Sequence, residues 1–213
     1  MDKIEYPGDM IKFLQDHYGD RPLIGAEIGV LNGDHALKLL ESLSIEKLYL
    51  IDPYEAYDEY HDHNKHGVVK ARETAIRKLT PYYNQIEWIF LKSSVALKHM
   101  PSGLHFGYMD GNHARSYVYN DLWGFFPLII DDGVIGGHDY YTRKDADNLC
   151  EVEEVINEFA ELSGGTLRID GSCEAPWPDW WFVKNKSMMN RLASAPTDKK
   201  LIYKLWEEDT KFP

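Results

Sequence analysis

Short apolar runs alternate with helical patterning along most of this chain, and that alternation restricts its fold more than any other feature. The runs lie at Leu23 to Val30, Lys47 to Ile51, Ile86 to Leu91, Leu104 to Met109 and Gly133 to Gly137. Between them, Ala36, Leu37, Leu40 and Leu43 mark one helical face, and Val69, Ala71, Thr74, Ala75 and Leu79 a second. Val118, Leu122 and Phe125 mark a third, and Val152, Val155, Ile156 and Phe159 a fourth. Strands separated by helices are joined by crossovers, so they pair in parallel and carry helices on both faces of the sheet.

The end of the chain breaks this rhythm. Thr166 to Asp170 and Asp179 to Val183 read as strands separated only by Gly171 to Pro178, which is too short for a crossover helix. They are expected to be antiparallel. Five parallel strands and this pair predict an α/β three-layer sandwich around a seven-stranded, mostly parallel sheet with an antiparallel last strand. Asp9 to Tyr18 reads as a leading helix capped by Asp9, and Lys199 to Glu207 as a short closing one. No linker, repeat or low-complexity tract divides residues 1–213, so a single domain is expected.

Composition bears on partners more than on fold. The formal net charge of −12 creates a field that repels a phosphate backbone, and no dense Lys/Arg cluster offsets it, so no nucleic-acid partner is expected. No apolar run approaches the ~18 residues of a membrane span, so no membrane partner is expected either. Met1 to Pro7 lacks a basic stretch followed by an apolar one, so no secretory signal is expected. Cys150 and Cys173 are too few for a disulfide framework or a four-cysteine zinc site, and a cytoplasmic location is the simplest. Nothing in the pattern decides the oligomeric state.

Ligands of open α/β sheets sit at the carboxyl ends of the strands, where the strand order reverses. Polar residues stand at all five expected ends. Glu27, Gly29 and Gly33 follow the first run, with Asp34 as the expected cap of the next helix. Asp52 ends the second run, Ser93-Ser94 the third, Asp110-Gly111-Asn112-His113 the fourth and Gly136-Gly137-His138-Asp139 the fifth. The glycines allow a tight turn and a close approach of ligand to backbone. An acid about 20 residues past such a turn can hold the hydroxyls of a ribose. A nicotinamide dinucleotide would satisfy that geometry too, but the turn is not Gly-x-Gly-x-x-Gly and Glu27 is unhelpful beside a pyrophosphate.

These residues resemble class I S-adenosylmethionine-dependent methyltransferases, and more closely the small metal-dependent O-methyltransferases. Ala26 to Gly33 is similar to that family's first cofactor motif. Asp52 matches its second-strand acid, and Lys92-Ser93-Ser94 the segment near the adenine. Asp110-Gly111-Asn112-His113, followed by Tyr117, Asp121 and Leu122, is similar to the Asp-Gly-x-His-x-Tyr pattern of a broad methyltransferase family. Pro127 to Asp139 completes the ordered set, which spans about residues 23 to 140.

The resemblance implies a Rossmann-like fold and S-adenosylmethionine as cofactor. It places Glu27 and Gly29 at the methionine end, Gly33 in the same turn, Asp52 on the ribose and Ser94 on the adenine edge, with Asp110 beside the cofactor. It also implies a divalent metal, Mg or Mn, held by Asp110, His138 and Asp139. His138 departs from the commoner all-oxygen pair and favours Mn, Fe or Zn over Mg. A small hydroxylated molecule is the expected substrate.

Methylation of an alcohol or phenol requires loss of its proton. His113, with an ordinary pKa near 6.5, suits a general base; metal-bound Asp110 and Asp139 offer a second route. In catechol-type relatives a catalytic Lys occupies the His113 spacing from Asp110. His113 could instead cap a helix, and His138 could be structural. Tyr54 to His66 reads as a lid, a further metal site at His61, His63 and His66, or a solvated loop. Tyr140 to Arg143 is a candidate pocket mouth, and Trp177, Trp180 and Trp181 read as packing. A catalytically inactive methyltransferase-like binding module and a nicotinamide-dependent oxidoreductase are the competing functions.

Overall fold

The computed structural model describes residues 2–56, 65–145, 148–172 and 177–194. The first half runs β1 (Lys3–Tyr6), α1 (Met10–Tyr18), β2 (Leu23–Ile28), α2 (Asp34–Ser42), β3 (Ile45–Ile51), α3 (Lys65–Leu79), β4 (Ile86–Ile89) and α4 (Ser93–Ala96). The second runs β5 (Leu104–Met109), α5 (Arg115–Phe125), β6 (Ile129–Gly137), β7 (Arg143–Asp145), β8 (Asn148–Cys150), α6 (Val152–Ser163), β9 (Leu167–Asp170), β10 (Trp180–Val183) and α7 (Lys186–Ala193). The helix expected at Lys199 to Glu207 lies outside the described residues.

The main sheet has the order β1-β9-β10-β6-β5-β2-β3-β4. Every neighbouring pair is parallel except the two made by β10, which runs antiparallel to both β9 and β6. The three-layer, mostly parallel architecture is therefore the expected one, with eight strands where the pattern predicted seven. The added strand is β1. Its side chains are exposed or half-exposed, so no hydrophobic alternation marks it, and it is held by pairing Lys3 to Tyr6 with Leu167 to Asp170 of β9. The hairpin of β7 and β8 and the helix α7 also went unread.

The central strands are buried on both sides, as helix-covered parallel strands must be. Leu48, Leu50, Phe106 and Trp181 pack under α1, α2 and α3 on one face. On the other, Ala26, Ile135, Trp180 and Phe182 pack under α5, α6 and α7. Trp180 and Trp181, at 1% and 0% exposed, thus feed opposite cores from one strand, whereas Trp177 stays 48% exposed. Asp9 caps α1 as expected, its carboxylate accepting from Lys12 N at 2.9 Å. Asp34 does not cap α2: it is the first helical residue, and Gly33 at φ +73° is the cap. None of the described helices is long and apolar enough to cross a membrane.

Candidate active site at the sheet switch point

From β2 the chain moves outward to β3 and β4, then returns to β5 on the other side of β2. The crevice of an open α/β sheet forms at such a reversal. A cleft of about 380 Å³ lies there, and Gly29, Asp52, Ser94, Asp110, His113 and Asp121 are among its lining residues. That volume is in the range of small-molecule and cofactor sites.

The first turn is shaped by the strand beside it. Gly29 has φ +83°, and a Cβ there would stand 1.9 Å from the carbonyl oxygen of Asp110. The glycine therefore lets the tips of β2 and β5 close on each other, which seats Asp110 beside the turn. Gly33 does not line the cleft: a Cβ on it would face Leu79 and Ala75 of α3 at 3.2–3.3 Å. Asp52 anchors the turn from β3. Its Oδ2 accepts from Val30 N and Leu31 N at 3.0 Å each, and its Oδ1 accepts from Tyr54 N at 2.8 Å. Carboxylate oxygens accept more than one bond, so Asp52 keeps capacity toward the cleft it lines.

Beneath the turn lies a polar group in the core. Glu27 is 1% exposed; its Oε1 stands 3.4 Å from His35 Nδ1, and its Oε2 has no hydrogen-bond partner among the described residues. Burial pushes Glu27 up, and the nearby imidazole offsets part of that rise. For His35 burial is the largest influence and lowers it, but Glu27, Asp179 and Asp110 together raise it above its ordinary value. The His35 ring stacks on Tyr108 at 3.7 Å, and the Tyr108 hydroxyl donates to Asp179 at 2.8 Å. Asp179 also accepts from Met10 N at 3.0 Å. Glu27 was expected at the methionine end of the cofactor, but it does not line the cleft and its Oε2 is closed to solvent; an unpaired buried acceptor is costly.

On the far side of the cleft, β5 and β6 bring three groups together. His113 Nε2 lies 3.1 Å from Asp139 Oδ2 and 3.5 Å from Asp110 Oδ1. One ligand atom from each of Asp110, His113 and Asp139 falls within 4.8 Å of the others. His138 is not of this set. Its Nδ1 lies 3.1 Å from the other Asp139 oxygen, and its carbonyl accepts from Trp180 Nε1 at 3.0 Å. The structure thus puts His113 between the carboxylates where His138 was expected. Asp139 itself adopts φ +59°, a left-handed conformation that Asp tolerates.

Charge follows geometry here. Burial would raise Asp110, but the His113 hydrogen bond and the nearby imidazoles hold it below its ordinary value. Burial would lower His113, yet Asp110 and Asp139 raise it. Burial would lower His138, but Asp139, with Asp110 and Asp179, raises it to about 9.

Several expectations change on the structure. Tyr54 supports the turn, its hydroxyl donating to the Leu31 carbonyl at 2.9 Å, while residues 57–64 and the side chain of His66 lie outside the described residues. Tyr140 to Arg143 do not line the cleft; Tyr140 is buried with its hydroxyl on Asn157 at 2.7 Å. The sequence pattern places Tyr108 and Asp179 on strands but gives no site role to them or to His35. Asp121 entered it only as part of a pattern, though a signal was present: it stands three residues after Val118, on the apolar face of α5.

An open parallel sheet, a cleft at its reversal point and an acid closing β3 together define a nucleoside-binding α/β enzyme. A family model described as a methyltransferase domain matches residues 26–140, more than half of the chain. The chain belongs to that family and is an S-adenosylmethionine-dependent methyltransferase. No curated protein has a significantly similar sequence.

Many solved structures share the fold. A precorrin 8W decarboxylase from Methanobacterium thermoautotrophicum is 12% identical with a TM-score of 0.57, over 84% of this chain and 92% of that one. An rRNA methylase from Streptococcus thermophilus is 11% identical with a TM-score of 0.57, over 83% and 94%. The Burkholderia thailandensis 1,6-didemethyltoxoflavin-N1-methyltransferase, solved with 1,6-didemethyltoxoflavin and S-adenosylhomocysteine, is 13% identical with a TM-score of 0.55, over 83% and 76%. Such identities show a shared fold, and the three names show that it carries different chemistries.

Proposed function

We propose that the chain methylates an oxygen of a small hydroxylated molecule, with His113 taking the proton from that oxygen. The observation that carries this reading is the seat of His113, at the cleft wall with Nε2 aimed at two carboxylates. Asp110 and Asp139 orient the ring and balance its charge once it has gained the proton, as a general base requires. His138 holds Asp139 from the other side. S-adenosylmethionine, when bound, supplies a methyl group activated by a sulfonium. Gly29 would let it approach the backbone, Asp52 would take the ribose hydroxyls and Ser94 the adenine edge. Gly33 contributes by shaping the turn rather than by contact.

A second reading of the same residues is favoured by the convergence of Asp110, His113 and Asp139 within 4.8 Å. Two carboxylate oxygens and an imidazole suit a divalent metal, Mn more than Mg, which would polarise the substrate oxygen. The two readings separate cleanly. If His113 is the base, its replacement by Ala lowers kcat by about 10²–10⁴-fold while a chelator leaves the wild type active. Loss of activity on chelation, restored by Mn, assigns all three residues to a metal.

The acceptor class rests on charge, because the fold also occurs in an rRNA methylase. A chain at −12 favours a neutral or cationic small molecule over RNA. Methyl transfer to phenols and sugars, measured against transfer to total RNA, tests this. Preference for RNA would overturn it.

A further inference from the structure

One flank of this acidic chain is basic. Residues 65–98 hold seven Lys/Arg and two Asp/Glu, a net charge of +5, which leaves −17 for the rest of the chain. The spacing is too wide to read as a dense cluster, but α3 and β4 fold part of it onto one face. α3 buries Val68, Ala71, Ala75 and Leu79 and leaves Val69, Lys70, Arg72, Ile76 and Arg77 exposed. Lys78 is paired with Asp34, whereas Lys70, Arg72 and Arg77 have no carboxylate partner among the described residues. The Arg72 guanidinium lies 3.9 Å from the centre of the Phe90 ring, which stacks on Trp88 of β4 at 5.6 Å. The flank is apolar as well as cationic: five of the nine large apolar side chains exposed among the described residues, Val69, Ile76, Tyr83, Phe90 and Leu91, belong to this segment. Such a concentration marks an interaction surface.

The backbone beside it is open. β4 is the last strand of the sheet, and it carries neither a proline nor a bulge. Leu48 N donates to the Gln85 carbonyl at 2.7 Å and Asp52 N to the Ile89 carbonyl at 3.2 Å, so residues 85, 87 and 89 face β3. In a parallel pair the groups alternate, which turns the N–H and C=O of Ile86 and Trp88 to the outer edge. We propose that this edge docks an extended acidic segment of a partner protein, which adds to β4 as a further strand and sets its carboxylates among Lys70, Arg72 and Arg77. Charge selects the occupant. A second copy joined through the same edge would bring two cationic flanks together. A nucleic acid or an anionic bilayer would reach past the flank into the field of the remaining net −17. A short acidic strand meets the cations alone, and its backbone completes the donors and acceptors of the edge. None of these residues takes part in the chemistry assigned to His113.

The probe is a short peptide of alternating Glu and Val, blocked at both ends, added to the whole chain in a calorimetric titration. A Kd of about 100 µM or tighter is expected at low salt, weakening as salt screens the charges. The Lys–Val counterpart should bind about tenfold more weakly or worse. K70E/R77E reverses two exposed charges outside the cleft, so it should melt like wild type yet lose about tenfold or more in affinity for the Glu–Val peptide. Addition of the peptide to β4 should also slow amide hydrogen exchange at Ile86 and Trp88, which docking elsewhere would leave unchanged. A Kd above about 1 mM, equal binding by K70E/R77E, or binding without protection of those two amides would each overturn the assignment. Tighter binding of an RNA oligonucleotide or of phosphatidylserine vesicles through Lys70 and Arg77 would overturn it too. So would a dimer in sedimentation that K70E/R77E dissociates.

Discussion

Replacing Gly29 with Ala tests the claim that the active site is built by two strand tips closing on each other. The added Cβ would lie 1.9 Å from the Asp110 carbonyl oxygen and 2.4 Å from its carbon, both backbone atoms that cannot rotate away. The residue would also hold φ +83°, which costs a non-glycine about 1–2 kcal/mol. Relieving the overlap adds about 1–3 kcal/mol of overpacking. Gly33 supplies the control. Its φ of +73° carries the same backbone cost, but its nearest contacts are 3.2–3.3 Å and two of the three are side-chain atoms. Thermal unfolding should therefore show Gly29→Ala lowered by about 4–20 °C and Gly33→Ala by about 2–8 °C. Titration with S-adenosylhomocysteine separates them further. Gly29→Ala moves Asp110 and should lose at least tenfold in affinity, whereas Gly33→Ala, outside the cleft, should stay within about threefold. Equal destabilisation of the two variants, or full affinity in Gly29→Ala, would refute the reasoning.

Asp52→Ala should weaken the same ligand by tenfold or more, and Asp52→Asn by less, because Ala strips the acceptors from three backbone N–H groups while Asn keeps one oxygen. Asp121 yields a pH prediction. Its folded value of about 7 lies above the ordinary 3.8, so stability is fully present below pH 4 and is lost as pH rises through 7. D121L should equal or trail wild type near pH 4 but exceed it at pH 8, by up to about 4 kcal/mol in urea unfolding. A constant difference across that range would contradict the buried ionisation. Trp181→Ala, emptying a fully buried site between the sheet and α1, should cost about 3–5 kcal/mol while leaving cofactor selectivity unchanged.

The parallel core of the fold was legible because buried strands and amphipathic helices leave periodic marks. Leu23 to Val30, Leu104 to Met109 and the Val152 to Phe159 stripe each had to bury apolar surface, and their spacing says how. β1 left no such mark, since backbone pairing to β9 holds it and only its last residue, Tyr6, packs against the core. The site divides in the same way. That Asp52, Asp110 and His113 line a cleft at the sheet's reversal could be expected from the chain, because strand ends in an open sheet are where polar residues gather.

Only the tertiary structure decided how those residues face one another. Pairing of β2 with β5 is a contact between strands separated by β3 and β4, and it alone explains why residue 29 must lack a side chain. His113, from the loop after β5, stands between the two carboxylates while His138 meets Asp139 from its other oxygen, a matter of tertiary placement rather than residue type. Asp121 shows the boundary most plainly. Its position on an apolar helix face was written in the spacing, but that it stands at the wall of the cleft depends on α5 packing across the ends of strands distant in sequence.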